Sequence, residues 1–481
     1  VQQGDRVGAV AVGRDRTKLY QHDFKQAESS RQDSAGNMDR ADRGGIGTVM
    51  KRKKKIFLAG CLCALAVSAV LAIAVINRSE KETILKFAMF SDSNWGVSGD
   101  NTSKIVEQAI KEFEEEHPGV KVVYESGIRK EDYTEWLEGK ILLGEEPDIF
   151  MVSADVFNIL ASKGALLDLR EFMDEDQTFR EDRFYHVAIE SGEFEQKQYA
   201  LPYESVPMLM AVNITLLNEL QIDLPENDWT WSDFHAICRR VTRDTDSDGK
   251  IDQFGVYNYT WKDAAYTNGT LLFDKNGKEN YVSHQDVINA VNYVHKINML
   301  TDGYLVTAKD FESGTVAFSP MLLSEYRMYK NYPYSIEKYN NFEWTCLTMP
   351  AGPKGDNISE VDTLLTAISS RSNYRKLAWE FMKKLTCDEG IQERVARESK
   401  GVSVLKDVTE NTQVYDPEDE IDRSLLSLSM QKGVIVPRFY QYDEAMRIMD
   451  EGVQEAMESE KNIKASLIAL HKKIDSFLKN E

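Results

Sequence analysis

The chain is poor in the residues that staple, ligate or catalyse. Only 5 of its 481 residues are cysteine. Cys61 and Cys63 share one apolar run and Cys238, Cys346 and Cys387 are scattered, so the spacing excludes a disulfide framework and a cysteine metal site. The 7 histidines (22, 117, 186, 235, 284, 295 and 471) do not cluster. His235 and Cys238 fall on one helix face, a spacing that reads as packing. There is no His-Glu-x-x-His, no Gly-x-Ser-x-Gly, no Gly-Lys-Ser/Thr phosphate loop and no Cys-x-x-Cys, so the common hydrolytic, nucleotide and redox chemistries leave no local signature. Positive charge is in deficit: 58 Lys and Arg stand against 79 Asp and Glu, a net charge of −21. Residues 1–55 hold 13 basic and 7 acidic residues, and the remainder stands at −27. So acidic a surface argues against nucleic acid and against any broad anionic partner.

Long apolar runs are lacking too, with one exception. Ile56 to Ile76 is 21 residues without a charge, directly behind the basic run Lys51 to Lys55. At about 1.5 Å per residue such a helix crosses the roughly 30 Å apolar core of a bilayer. The basic side stays inside, so the chain from Asn77 onward is expected to be exported. Residues 50–76 therefore read as a basic n-region plus a signal or transmembrane helix. Three fates of it stay open: retention of 56–76 as an anchor at the extracytoplasmic face of the bacterial cell membrane, cleavage near Ala72-Ile73-Ala74, or lipidation at Cys61 in Leu58-Ala59-Gly60-Cys61. Residues 1–49 are polar and aperiodic, either a disordered tail or an upstream extension before a true start at Met50. Residues 77–83 form a short linker.

The remaining residues are too many for one ordinary core and suit two lobes. Ile84 to Phe90 reads as a buried strand, and a helix follows with Ile105, Val106, Ala109, Ile110 and Phe113 on one face. Val120 to Tyr124 gives a second strand and Ile149 to Val152 a third, with a helix between. Strands alternating with helices imply an α/β fold with a parallel sheet, and ligands of such sheets sit beyond the carboxyl ends of the strands. Thr230-Trp231-Ser232-Asp233 is a helix start, with Thr230 as cap, Asp233 as reciprocal partner and Trp229 stapling onto Phe234. Near the end, Met446, Met449, Val453 and Met457, then Leu467, Leu470, Ile474 and Phe477, mark two amphipathic helices.

Four stretches in a fixed order carry a family resemblance. They are Leu143-Gly-Glu-Glu-Pro-Asp-Ile-Phe-Met-Val-Ser-Ala154 with Leu160 to Leu169 (LASKGALLDL); Tyr199-Ala-Leu-Pro202 with Met210-Ala-Val-Asn213; Thr230-Trp231 through Gly255 with Phe311-Glu-Ser-Gly-Thr-Val-Ala317; and Thr363 to Ser369 with Ala378-Trp-Glu-Phe381 after Pro350-Ala-Gly352. Together they resemble the extracellular solute-binding proteins of carbohydrate ABC transporters (family 1, maltose-binding-protein-like). The sequence departs from that pattern at Phe318, where methionine is usual.

The resemblance implies a bilobed, type II periplasmic-binding fold with two hinge crossings, lobe one from 84–200 and 355–400 and lobe two from 205–350 and 405–481. It further implies a monomeric, non-enzymatic protein that takes a small carbohydrate between the lobes, needs no cofactor, and delivers the solute to ABC permease subunits in the membrane. Two other readings stay open. A membrane-anchored glycan-degrading enzyme could hide its carboxylate pair, since that signature is spatial. A ligand-binding sensor partner of a signalling system is the second.

A sugar site needs aromatic faces for the ring and planar polar groups for the hydroxyls. Trp136, Trp379, Trp229 and Trp231 have structural explanations in helices or helix starts. The candidates that remain are Asn94 and Trp95 after the first strand, Ser153 and Asp155 after the third, Tyr203 and Glu204 at the crossover, Tyr259 and Trp261 after the strand at Phe254, then Glu325, Tyr326, Tyr440 and Tyr442. The segment Asp244-Thr-Asp246-Ser-Asp248-Gly-Lys250-Ile-Asp252 has the acidic spacing of a calcium loop, but Gly255 stands where a bidentate Glu is needed, so only weak Ca²⁺ binding is expected there. An acidic turn between helix and strand explains the same residues.

Overall fold

The computed structural model describes residues 82–331, 342–411, 413–414, 421–459 and 462–479. The basic run, the apolar run 56–76, the stretch before them and the linker up to residue 81 lie outside these residues. Among the described residues no helix is long and apolar enough to cross a membrane.

The first alternating segment folds as its periodicity dictates. Strand β1 (Thr83–Ala88) lies between the parallel strands β2 (Val120–Glu125) and β3 (Ile149–Val152). The helix Thr102–Glu116 returns the chain from β1 to β2 and buries Ile105, Val106, Ala109 and Phe113. Its start is held by Asp100, whose carboxylate accepts from the Thr102 amide at 3.0 Å and hydroxyl at 2.7 Å. A two-stranded hairpin, β4 (Glu193–Phe194) and β5 (Lys197–Gln198), turns through Glu195 and Gln196, both at positive φ, as a tight two-residue turn requires.

The strand that follows organises everything else. β6 (Ala200–Asn213) is 14 residues long, and 13 of them are buried. The rest of the sheet is β7 (Phe254–Val256), β8 (Val316–Leu322), β9 (Trp344–Leu347), β10 (Val361–Ile368) and β11 (Val402–Ser403), in the order β2-β1-β3-β10-β6-β8-β7 with β9 and β11 also on β6. Ala200 to Pro207 pairs with β10, and Met208 to Val212 pairs with β8. β6 therefore leaves one lobe and enters the other at Pro207 and Met208.

Two apolar cores flank this crossing. The first includes Phe87, Phe150, Leu365 and Phe381, and the second Phe234, Val291, Met449 and Leu470. Beyond the crossing, the pleat of β6 serves both: Leu209 and Ala211 face the first core and Met210 and Val212 the second. The helix start at Thr230 is a complete capping box, with the Trp229 and Phe234 rings 5.5 Å apart. The two C-terminal helices, Tyr442–Glu458 and Ile463–Leu478, bury Met446, Met449 and Val453 against Leu467, Leu470 and Ile474.

The expected lobe boundaries need one correction. Residues from 405 onward were assigned to lobe two, yet Leu405, Val408, Leu425, Leu426 and Met430 belong to the first core. After residue 405 the chain stays with the first core until Gly433 to Val436, so the third connecting segment that these bounds already implied lies there and not near residue 400. The three segments are hydrogen-bonded to one another: the Met208 amide donates to the Glu360 carbonyl at 2.8 Å, the Val361 amide to Val434 at 3.0 Å, and the Val434 amide to Ser359 at 2.9 Å.

Gly255 has a packing role in β7 rather than one in an ion loop. A Cβ there would lie 2.5 Å from Cys238 Cβ and 2.6 Å from Cys238 Cα, on the overlying helix Trp231–Val241. Gly255→Ala is expected to cost about 1–3 kcal/mol by overpacking, read as a lower urea midpoint with unchanged slope. An unchanged midpoint would contradict this packing.

Candidate functional site

The hinge segments floor a cavity of about 620 Å³ between the lobes, lined by Asn158 and Phe194 on one side, Leu271 and Asn276 on the other, and Glu360, Asp362 and Arg438 from the hinge. A cavity of about 480 Å³ shares Glu360 and Arg438 with it, and a third of about 990 Å³ shares Lys262, Asp450 and Glu451 with the second. The shared walls make one groove running from the hinge along lobe two.

Each polar wall residue has a local reason for its place. Asp155 lies in the first turn of the helix Ala154–Ser162, straight after β3, where a carboxylate suits the positive end of the helix. It faces the Arg438 guanidinium at 3.7 Å. That guanidinium lies over the Tyr442 ring, 4.6 Å from its centroid, and Asn158 donates its amide to the Arg438 carbonyl. Glu360 and Asp362 alternate along extended chain around the buried Val361, so both turn to the cavity. Burial pushes the Glu360 carboxyl up to about 7 against the pull of Arg438. Burial raises Asp362 as well, with Arg438 and Lys130 opposing and Asp155 adding to the rise.

In lobe two, Thr260 and Asp263 form a capping box that starts the helix Trp261–Thr267. This fixes Trp261, whose indole N–H donates to Asp450 at 3.0 Å, while Lys262 reaches the same carboxylate at 3.3 Å. In lobe one, Lys130 donates to the Asn94 carbonyl. Its charge is also felt by Asp362, so the loop after β1 adjoins the hinge.

Of the residues chosen from the sequence, Asp155, Trp261 and Tyr442 come together along this groove. Ser153 stands at the start of the Asp155 helix, and its side chain caps nothing. Asn94 and Trp95 line none of these cavities, and Trp95 lies beside Glu204. Glu204 is fully buried and accepts from the Ser399 hydroxyl at 2.7 Å and the Gly401 amide at 2.5 Å. The Trp95 indole approaches the same carboxyl without closing a hydrogen bond of standard geometry. Tyr203 and Tyr326 are corrected to core residues, at 0% and 1% exposure, whereas Tyr259, 6% exposed, shares both its core and its cavity with Trp261, 5% exposed. Their ring faces are taken up by packing, as Tyr259 against Phe234 at 4.9 Å and Tyr326 against Trp344 at 5.3 Å. Glu325 accepts from the Leu322 amide at 2.9 Å, which is helix-start work, and Tyr440 is 77% exposed.

Glu360, Asp362, Arg438, Lys262 and Asp450 are absent from the sequence-based choice. The one signal available was Glu-Val-Asp at 360–362, a polar alternation at the start of an otherwise apolar strand.

The acidic loop is only partly as expected. Asp244, Asp246 and Asp252 bring one carboxylate oxygen each within 4.8 Å of one another, and Asp248 and Lys250 are not of that group. Asp244 accepts from the Ser247 and Gly249 amides at 2.7 and 2.8 Å, and Asp252 from the Thr245 amide at 2.9 Å. One oxygen from each of three carboxylates supplies at most half of the roughly six to eight oxygens of a calcium shell, and the loop's own amides also donate to them.

With the fold and groove in hand, comparison with known proteins decides the family. Residues 98–392 match the family described as bacterial extracellular solute-binding protein. The chain belongs to that family. Solved structures similar to this solute-binding protein include the sugar-binding protein MalE from Xanthomonas citri, with TM-score 0.69, 13% identity, and 82% of this chain and 97% of that one covered. The cyclic alpha-maltosyl-1,6-maltose binding protein from Arthrobacter globiformis matches with TM-score 0.69 and 14% identity over 83% and 100% of the two chains. An ABC substrate-binding protein from Listeria monocytogenes in complex with cycloalternan matches with TM-score 0.61 and 18% identity over 83% and 100%. No curated protein sequence matches the chain. At such identities the likeness is one of fold: this solute-binding protein is a bilobed, type II α/β binding protein, of an extracellular family.

Glu204 gives this solute-binding protein a pH signature. Burial, with Asp100 adding, pushes its carboxyl up to about 8 from an ordinary 4.5. Between those values the unfolded chain is ionised and the folded one keeps the proton, so this residue's contribution to stability falls as pH rises from about 4.5 to about 8. Glu204→Gln removes that loss. Its melting temperature is expected to match wild type near pH 4.5 and to exceed it at pH 8, and parallel curves would contradict the assignment.

Proposed function

We propose that this protein captures a carbohydrate in the groove between its lobes, on the outer side of the bacterial membrane, and presents it unchanged to an ABC permease. The observation that carries the reading is the hinge constellation itself. Asp362 and Glu360 offer planar acceptors, Arg438 (paired with Asp155) and Lys262 offer donors left over from their ion pairs, and Trp261 and Tyr442 bring aromatic rings to the cavities. That mixture suits a polyhydroxylated ring with polar edges and apolar faces. The neighbours in fold described as a sugar-binding protein, as a cyclic alpha-maltosyl-1,6-maltose binding protein and as a complex with cycloalternan support the same reading.

Closure follows from where the groove sits. Asp155 belongs to lobe one and Arg438 and Trp261 to lobe two, so only the closed form gives a solute both sets of contacts. The two ion pairs that already bridge the lobes, Asp155–Arg438 and Glu190–Lys275, have side chains exposed by 24–64% and 28–74%. Exposed pairs are worth about 0–1 kcal/mol, whereas moving a hinge from 1:99 to 99:1 takes about 5.5 kcal/mol. The solute therefore sets the equilibrium. The protein acts as a monomer, and the uncharged run 56–76 behind five basic residues sends it across the membrane and tethers it there.

A thermal-shift screen of the protein against mono- and oligosaccharides tests the reading, since a ligand of the native state raises its melting temperature by mass action. At least one saccharide is expected to do so, to bind saturably and to be recovered intact. Arg438→Ala removes a charged donor and its stacking and is expected to weaken that saccharide's binding about 10- to 100-fold, from roughly 1.5–3 kcal/mol per charged hydrogen bond. Unaltered affinity would remove the groove from the account.

A further inference from the structure

We propose that the solute is an amine-bearing saccharide, and that Glu360 and Asp362 are the carboxylates that recognise its ammonium group. This deepens the carbohydrate reading above and rests on it.

The argument is a count of partners along the groove. Among the described residues, the cations that line it are committed elsewhere. Arg438 pairs with Asp155, Lys262 with Asp450, Lys275 with Glu190, and Arg447 with Glu444 and Glu451. Lys130 donates to a backbone carbonyl. Glu360 accepts no side-chain hydrogen bond and has no cation within 4.0 Å among the described residues. Asp362 accepts only from the adjacent Thr363 amide at 2.9 Å. Two neighbouring carboxylates thus face the cavity with no cation in direct contact, the charge of Arg438 reaching both only from a distance.

Physical cost decides what should fill the space before them. An ionised carboxylate taken from water without a partner is expensive, and burial accordingly pushes Glu360 up to about 7, against the pull of Arg438. A hydroxyl can donate to each carboxylate but leaves the charges uncompensated. An ammonium group donates up to three hydrogen bonds and cancels charge at the same time. At the rim Glu190, Glu193, Asp450 and Glu451 are ion-paired, and Glu195 and Asp443 add negative charge to the lining, which favours approach of a cation.

Calorimetric titration of the protein at pH 7 with isosteric sugar pairs tests this. Glucosamine and galactosamine, singly and as short β-1,4 oligomers, are each compared with the hydroxyl twin, glucose, galactose and their oligomers. At least one amine is expected to bind tenfold or more tightly than its twin. In Glu360→Gln/Asp362→Asn, checked by its melting curve for retention of fold, that preference is expected to vanish through weaker amine binding. A hydroxyl twin that binds as well as every amine overturns the inference and leaves the carbohydrate reading standing. An amine preference that survives the double substitution overturns the assignment to these residues. No binding by either series overturns the inference, and the carbohydrate reading is then decided separately by the saccharide screen.

Discussion

The constraint on which this molecule depends is a single strand that belongs to two cores. β6 is hydrogen-bonded to β10 in one lobe and to β8 and β9 in the other. Where it changes lobe, its backbone is tied to Glu360, and that segment is tied in turn to Val434. Three chain segments hydrogen-bonded side by side resist shear and splaying but can bend together. The lobes are thus left the freedom to open and close, and little else. Because the hinge is also the floor of the groove, the residues proposed to recognise solute and the hinge segments are neighbours on the same backbone.

The electrostatics of the groove follow from that coincidence. Glu360 and Asp362 hang from backbone that the hinge must keep buried, and the cations nearby are spoken for by Asp155, Asp450 and Glu190. Solute binding can then supply what the free protein lacks, so the free energy of recognition is released at the point where the lobes pivot. The ion pairs already present across the lobes are too exposed to rival it.

Much of the fold was legible in local pattern. The capping box at Thr230, the face Ile105, Val106, Ala109 and Phe113, and the two C-terminal helices depend on residues three or four apart, and their chemistry is complete within one turn. The groove was legible at two strand ends, Asp155 and Trp261, where sheet topology directs the search for a ligand site, and at Tyr442. Tyr203 and Tyr326 show the limit of composition: an aromatic ring suits a sugar and a core equally, and nothing in the sequence says which way it faces. Glu360 and Arg438 were invisible for another reason. They meet because 359–362 and 433–438 pair across some seventy residues of intervening chain, and no periodicity registers that contact. The stretch 405–430 went to the wrong lobe because its apolar pattern marks it as buried without saying in which core.

The central claim is that two rigid halves pivot about this three-segment hinge when solute fills the groove. Small-angle X-ray scattering of the protein, with and without a saturating solute whose binding has been established calorimetrically, tests it most directly. The account expects a smaller radius of gyration and a shorter maximum dimension in the bound state, reached at the same solute concentration as calorimetric saturation. Superimposable scattering curves at full saturation would contradict it.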